Sequence, residues 1–136
     1  MKTKTIELTG HAIDWAVAKA SGRLGAWRRD ESRTGVSILD IGFDEHGDLC
    51  EYVPGSRRDP YKPWRPSTDW SQGGPIIDRE RIGVTPGFAS KKWVALGANM
   101  RSSLSQYGPT PLIAAMRCFV ASKLGDEVDV PDELLT

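Results

Sequence analysis

The stretch Gly108-Pro-Thr-Pro-Leu-Ile-Ala-Ala-Met-Arg-Cys-Phe-Val-Ala-Ser-Lys-Leu-Gly125 decides how the rest of the chain is read. Thr110 is an N-cap residue, and Pro111 takes the first helical position, where a missing N–H costs nothing. Leu112, Met116 and Val120 recur on one face, joined by Ile113, Phe119 and Leu124, so the helical period is sustained along the segment. Gly125 supplies the stop. Beyond it, Asp126, Glu127, Asp129, Asp132 and Glu133 read as a solvated acidic tail, with Pro131 opposing any helical continuation.

Working outward, a second helix is expected near the other end. Thr9 is its cap, and His11 to Ala20 run without a breaker until Gly22. Ala12, Ala16 and Ala20 stack four apart on one face beside Ile13 and Val17, which allows close approach to a neighbour. Trp15 projects from another side, toward a groove or rim. The middle of the chain has a different texture. Val36, Ile38 and Leu39 to Phe43 suit a strand, His46-Gly47 a turn, and Leu49 to Val53 its hairpin partner. From Pro54 to Gly87 proline and glycine are so dense that a long helix is excluded, and Trp64 and Trp70 argue that this stretch is an ordered loop. Ile76, Ile77, Ile82 and Val84 suit short strands or a single helical turn, and Trp93 to Leu96 another strand. The fold class that follows is α+β: one domain over residues 1–136, with a small antiparallel β layer packed between N-terminal and C-terminal helices and a long Pro/Gly-rich ordered loop.

Composition narrows the function. Lys plus Arg and Asp plus Glu both number 18, and a net charge of zero argues against general nucleic-acid coating. No apolar run approaches the ~20 residues of a membrane span, and Met1 to Leu8 lack the apolar core of a signal peptide, so a cytoplasmic protein is expected. Cys50 and Cys118 have no metal-like spacing and read as reduced thiols.

Polar chemistry concentrates in Trp64-Arg-Pro-Ser-Thr-Asp-Trp-Ser-Gln-Gly-Gly-Pro75. Ser67 and Thr68 can donate to an anion, Asp69 can accept from a hydroxyl or amine, and Gln72 can read an amide-like edge. Gly73 and Gly74 let backbone N–H groups approach a ligand, and Trp64 or Trp70 can stack a planar ring. The structural alternative is a turn capped by Ser67 or Asp69, with tryptophans filling gaps. Thr110 opens the last helix, whose first turn attracts anions; ordinary capping is the simpler account. Arg117 lies beside the core stripe, where it either snorkels outward or pairs with Asp14, Asp69 or Asp78. Asp78-Arg-Glu-Arg81 reads as a solvated edge, with Arg79 able to neutralise an anion. Arg28-Arg29 and Arg57-Arg58 are basic pairs without specificity. His11 and His46 are the only histidines, and neither sits in a nucleophile pattern. Asp69, Asp78 and Glu80 could form a metal-binding carboxylate set, but their spacing is not diagnostic.

Three stretches, Glu7 to Lys19, Pro66 to Glu80 and Gly108 to Gly125, together resemble the NinX-like proteins of tailed bacteriophages and prophages. The resemblance leaves Ser21 to Arg65 and Arg81 to Tyr107 as poorly matched spacers. It implies a phage gene expressed in a bacterial cytoplasm. It implies no reaction, since the family is described as a domain of unknown function, and no catalytic residue or cofactor carries over. The expectation drawn is a non-enzymatic binding protein for a small anionic or nucleotide-like molecule, serving as a sponge in anti-phage defence. Trp64, Ser67, Thr68, Asp69, Trp70, Gln72, Gly73, Gly74, Arg79, Thr110 and Arg117 are its candidate contacts. A protein-binding inhibitor or adaptor anchored on the tryptophans is the alternative, and a metal-dependent hydrolase the third. A homo-oligomer is also expected, with the alanine face of the first helix and the residual tryptophan surface forming a two-fold contact and a ligand bound between subunits.

Overall fold

The computed structural model describes residues 1–28, 41–43, 47–52, 61–88, 90–98 and 105–135. Its strands are β1 (Lys2–Lys4), β2 (Leu24–Arg28), β3 (Ile41–Phe43), β4 (Leu49–Tyr52), β5 (Tyr61–Pro63), β6 (Ile82–Pro86), β7 (Trp93–Gly97), β8 (Gln106–Gly108) and β9 (Glu127–Asp129). Its helices are α1 (Gly10–Ala20), α2 (Trp70–Glu80) and α3 (Pro111–Leu124). The class is α+β, as the sequence implies.

Helix α3 is the centre. The Thr110 hydroxyl accepts from the Ile113 N–H at 3.1 Å, Pro111 follows, and Gly125 ends the helix. Leu112 and every residue from Ala114 to Val120 are buried. A helix apolar on nearly all sides must be enclosed, and α1, α2 and the sheet β6-β7-β8 pack round it. Small residues allow the approach: a Cβ on Gly108 of β8 would lie 2.7 Å from the Ala114 nitrogen. The alanine face of α1 is consumed the same way. Ala12 and Ala16 are buried inside the chain, so that face is not the surface of a two-fold contact. Trp15 is 7% exposed, with the Lys19 ammonium 5.2 Å above its ring.

Among the described residues three sheets surround the helices: antiparallel β6-β7-β8, four-stranded β2-β3-β4-β5, and the pair β1-β9. The β3–β4 hairpin and β7 fall where expected. Val36 to Leu39, His46, Val53, Arg29 and Arg57-Arg58 lie outside the described residues. The layer is not wholly antiparallel, since β2 pairs parallel with β3. Part of the acidic tail is also not simply solvated. Glu127–Asp129 pairs antiparallel with Lys2–Lys4, setting Lys4 opposite Glu127 and Lys2 opposite Asp129, with Val128 and Val130 buried. Opposite charges across a ladder favour this register.

The larger departure is α2. Residues 70–80 form a helix, not strands or a single turn, despite Gly73, Gly74 and Pro75. Interior glycines cost about 1 kcal/mol each and proline about 3. Tertiary packing offsets this. Asp69 caps the helix through the Ser71 N–H, Ile76 is buried, and Gly73 lets α2 sit directly on its neighbours. A Cβ on Gly73 would meet the Pro66 carbonyl at 2.4 Å and Leu112 Cδ1 at 2.5 Å, whereas one on Gly74 would meet nothing within 4 Å. The two glycines therefore respond oppositely to alanine. Gly73→Ala is expected to destabilise by about 1–3 kcal/mol through overpacking. Gly74→Ala is expected to stabilise by about 0.5–1 kcal/mol through helix propensity. Urea unfolding midpoints of the two variants, side by side, check the pair.

Candidate functional site

Strand β5 runs into a turn over residues 64–69 that delivers the chain to α2. The Thr68 and Asp69 N–H groups both donate to the Arg65 carbonyl, at 3.1 and 2.8 Å. Gln72, on the first turn of α2, reaches back over this bend. Its Nε2 donates to the Pro63 carbonyl at 2.8 Å, and its Oε1 accepts from the Arg65 N–H at 2.6 Å. Asp69 Oδ1 accepts from the Ser71 N–H at 2.9 Å and from the Ser71 hydroxyl at 2.6 Å.

Helix α1 holds the turn from beneath. The Trp64 indole, 2% exposed, donates Nε1–H to the Asp14 carbonyl at 2.9 Å. The Arg23 guanidinium lies 5.1 Å over the same ring and pairs with Glu51 at 2.7 Å. The Ser67 N–H donates to Asp14 Oδ1 at 2.9 Å. Asp14 is itself buried, and burial pushes its carboxyl up to about 6. The Ser67 contacts and the charges of His11 and Arg65 oppose that rise. Ser67 Oγ is buried and makes no hydrogen bond of adequate geometry among the described residues, but it lies close enough to the carboxylate to favour its charged form.

The candidate contacts accordingly separate into groups. Thr68, Asp69 and Gln72 line a half-open groove of about 580 Å³, together with Glu51, Lys62, Pro63, Arg65 and Ser71. Trp70, the first residue of α2, is not part of that lining and is 56% exposed. Trp64, Ser67 and Gly73 lie behind the groove, in packing. Gly74 faces open space, and Arg79 is exposed further along α2. Thr110 is engaged as the cap of α3. Arg117 is buried, and its expected carboxylate partner is replaced by backbone. Its Nε donates to the Leu8 carbonyl at 2.9 Å and its Nη1 to the Tyr107 carbonyl at 2.6 Å. Burial lowers its pKa. The turn and the start of α3 therefore do not share the groove.

The carboxylate set disperses as well. Asp69 and Glu80 sit at opposite ends of α2, about 16 Å apart at 1.5 Å per residue, too far to share an ion. Glu80 instead pairs with Lys123 at 3.4 Å. Among the described residues no group of three His, Cys, Asp or Glu side chains could hold a metal ion. Sequence reasoning missed Lys62, Arg65 and Glu51 as lining, and Asp14 as the anchor. The signal for Asp14 was an acid inside the otherwise apolar run Ala12 to Ala18.

These features define a small α+β protein built round an enclosed helix, with a braced turn and a polar groove on one flank. The family model for bacteriophage P22 NinX matches residues 4–123, and the chain belongs to that family. No curated protein matches it. Among the described residues no helix is long and apolar enough to cross a membrane.

Asp14 gives the fold a dependence on pH whose sign is opposite to that of a salt-bridged acid. Its folded pKa, about 6, exceeds the ordinary 3.8, so the folded state binds the proton more tightly. The stabilisation is complete below pH ~4 and is lost as pH rises toward 6 and beyond, at most about 3 kcal/mol by pH 7. Asp14→Asn keeps an acceptor for the Ser67 N–H and removes the charge. Urea unfolding from pH 4 to 8 should show the variant gaining on the parent as pH rises, with the two converging at pH 4.

Proposed function

We propose that this NinX-family protein works by binding rather than catalysis, and that its ligand is a small anionic, nucleotide-like molecule held in the groove between β5 and α2. The observation that carries this reading is the lining of that groove. Lys62 and Arg65 bring positive charge and Thr68 and Ser71 bring hydroxyls, while Trp70, between the lining residues Asp69 and Ser71 in sequence, is exposed. The two acids are partly neutralised. Glu51 is paired with Arg23, and Asp69 is turned onto the first turn of α2. A phosphate would meet the cations and hydroxyls, and Trp70 would stack the base. Trp64 is committed to Asp14 and takes no part. Sequestration of a nucleotide signal in phage defence would be one use of such a site in a phage protein. This role rests on family context alone.

Isothermal calorimetry against cyclic and linear nucleotides, at about 100 μM protein, should give at least micromolar affinity for one member. Trp70→Ala is expected to weaken it about tenfold or more, in line with ~1–3 kcal/mol per stacked base. Lys62→Ala with Arg65→Ala should make the remaining binding less sensitive to salt. Absence of heat with every nucleotide removes the reading.

A second reading has its own observation. Trp70, Phe88 and Tyr107 are exposed at 56%, 109% and 47%. Aromatic anchors of this kind suit a protein partner. An adaptor of that sort would lose its partner on Phe88→Ser, a residue remote in sequence from the groove, while nucleotide binding would be untouched. An oligomer would not use the α1 alanines, which are buried.

A further inference from the structure

Helix α2 carries two lengthwise rows. Gly73, Ile76 and Glu80 form the inner one: the first two are buried, and Glu80 meets Lys123 of α3. The row beside it, Trp70, Gly74, Ile77 and Arg81, repeats at intervals of four, three and four residues, the spacing of a seam between two helices. Ile77 is half-buried against the core, while Trp70 and Arg81 are exposed. Gly74 is the residue of this row that the chain itself does not explain. Its backbone is helical and lies outside the left-handed region that favours glycine. Among the described residues nothing comes within 4 Å of a Cβ placed on it. A glycine inside a helix costs about 1 kcal/mol relative to alanine. Gly73 offsets that cost by its seat on Pro66 and Leu112, and Gly74 has no such seat.

A missing side chain in the middle of an outward seam lets a second backbone approach closely. Charge indicates which one. Asp69 caps the start of α2 and Arg81 closes its end, so the row runs from an acid to a base. A second copy of the helix lying parallel would set Asp69 beside Asp69 and Arg81 beside Arg81. A copy lying antiparallel sets each beside its opposite, and two-fold symmetry makes that contact twice.

We infer that α2 pairs antiparallel with α2 of a second copy of this chain, across a two-fold axis at Gly74. Residues equally far either side of Gly74 then come level. Trp70, four before it, packs against the partner's Ile77, three after, with an offset of about 1.5 Å along the axis. Asp69, five before, lies about 3 Å along the axis from the partner's Arg81, seven after, within reach of a long arginine side chain. Exposed tryptophan is a favoured anchor for such a contact. The partner's Arg81 also balances the charge of Asp69, an acid in the groove lining. Neither Gly74 nor Arg81 lines the groove, and the pairing needs no ligand, so the nucleotide reading stands or falls separately.

Sedimentation equilibrium of the full chain over about 5–500 μM should show monomer and dimer in exchange. Kd is expected on the order of 10–100 μM, as suits a contact below the standard interface size. Gly74→Leu fills open space on the chain's own surface and favours the helix, so the variant should stay folded while Kd rises at least tenfold. Arg81→Glu should raise Kd about tenfold at low salt, and by less at about 0.5 M salt. Oxidation reads the register, since Cys50 and Cys118 are both buried. Gly74→Cys, on the axis, should give a disulfide-linked dimer. Asp78→Cys should not, because its two copies lie about 12 Å apart along the axis. Linkage of Asp78→Cys as fast as that of Gly74→Cys would overturn the antiparallel order. A monomer mass at every concentration, or a dimer indifferent to both Gly74→Leu and Arg81→Glu, would overturn the inference outright.

Discussion

Helix α3 is enclosed over most of its length, and the rest of the structure answers to that constraint. A helix with buried residues from Leu112 to Val120 must be covered on several sides at once. The covering elements are brought close by small side chains, Gly108 against Ala114 and Gly73 against Leu112. Arg117 is the polar exception inside this core. Its guanidinium is satisfied by the Leu8 and Tyr107 carbonyls rather than by a carboxylate. It thereby ties the approach to α1 and strand β8 onto α3. Hydrogen bonds to a charged donor of this kind are stronger than neutral ones, and their loss would leave a buried charge behind.

A second joint sits at Asp14. One residue of α1 uses its carbonyl to hold the Trp64 indole and its carboxylate to hold the Ser67 N–H. That double grip sets the bend after β5, and the bend sets where Arg65, Thr68 and Asp69 present themselves to the groove. Gln72 repeats the same device from the solvent side, with both ends of its amide on backbone. The groove is therefore braced on two sides before any ligand arrives, which lowers the ordering cost of binding.

The helices at either end were legible because their signals are local. Thr110-Pro111 and Gly125 punctuate α3, and an uninterrupted run marks α1. Helix α2 was not legible, because Gly73-Gly74-Pro75 opposes a helix locally. The Asp69 cap, the burial of Ile76 and the close seat of Gly73 against Leu112 and Pro66, one distant in sequence and the other folded back, override that preference. The same limit hid β9. Glu127–Asp129 looks like a charged tail until Lys2–Lys4 is laid beside it, more than a hundred residues away in sequence. Within the candidate site, residue types were readable and directions were not. Trp64 and Trp70 are equivalent as sequence, yet one is sealed and the other is open. Arg117 likewise reveals its role only through the backbone groups that reach it.

The position of α3 in the chain also has a kinetic side. Helix α1 spans Gly10–Ala20, but the helix it packs on begins at Pro111. At about 5–20 residues per second, the ribosome needs several seconds to make the segment between them. Through that interval the apolar faces of α1 and the early strands have no centre to close upon, so assembly of the core must wait for α3 to be made. Chaperone engagement during translation would meet its natural substrate in that open intermediate, and tags or fusions that slow release of the α3 region would prolong it.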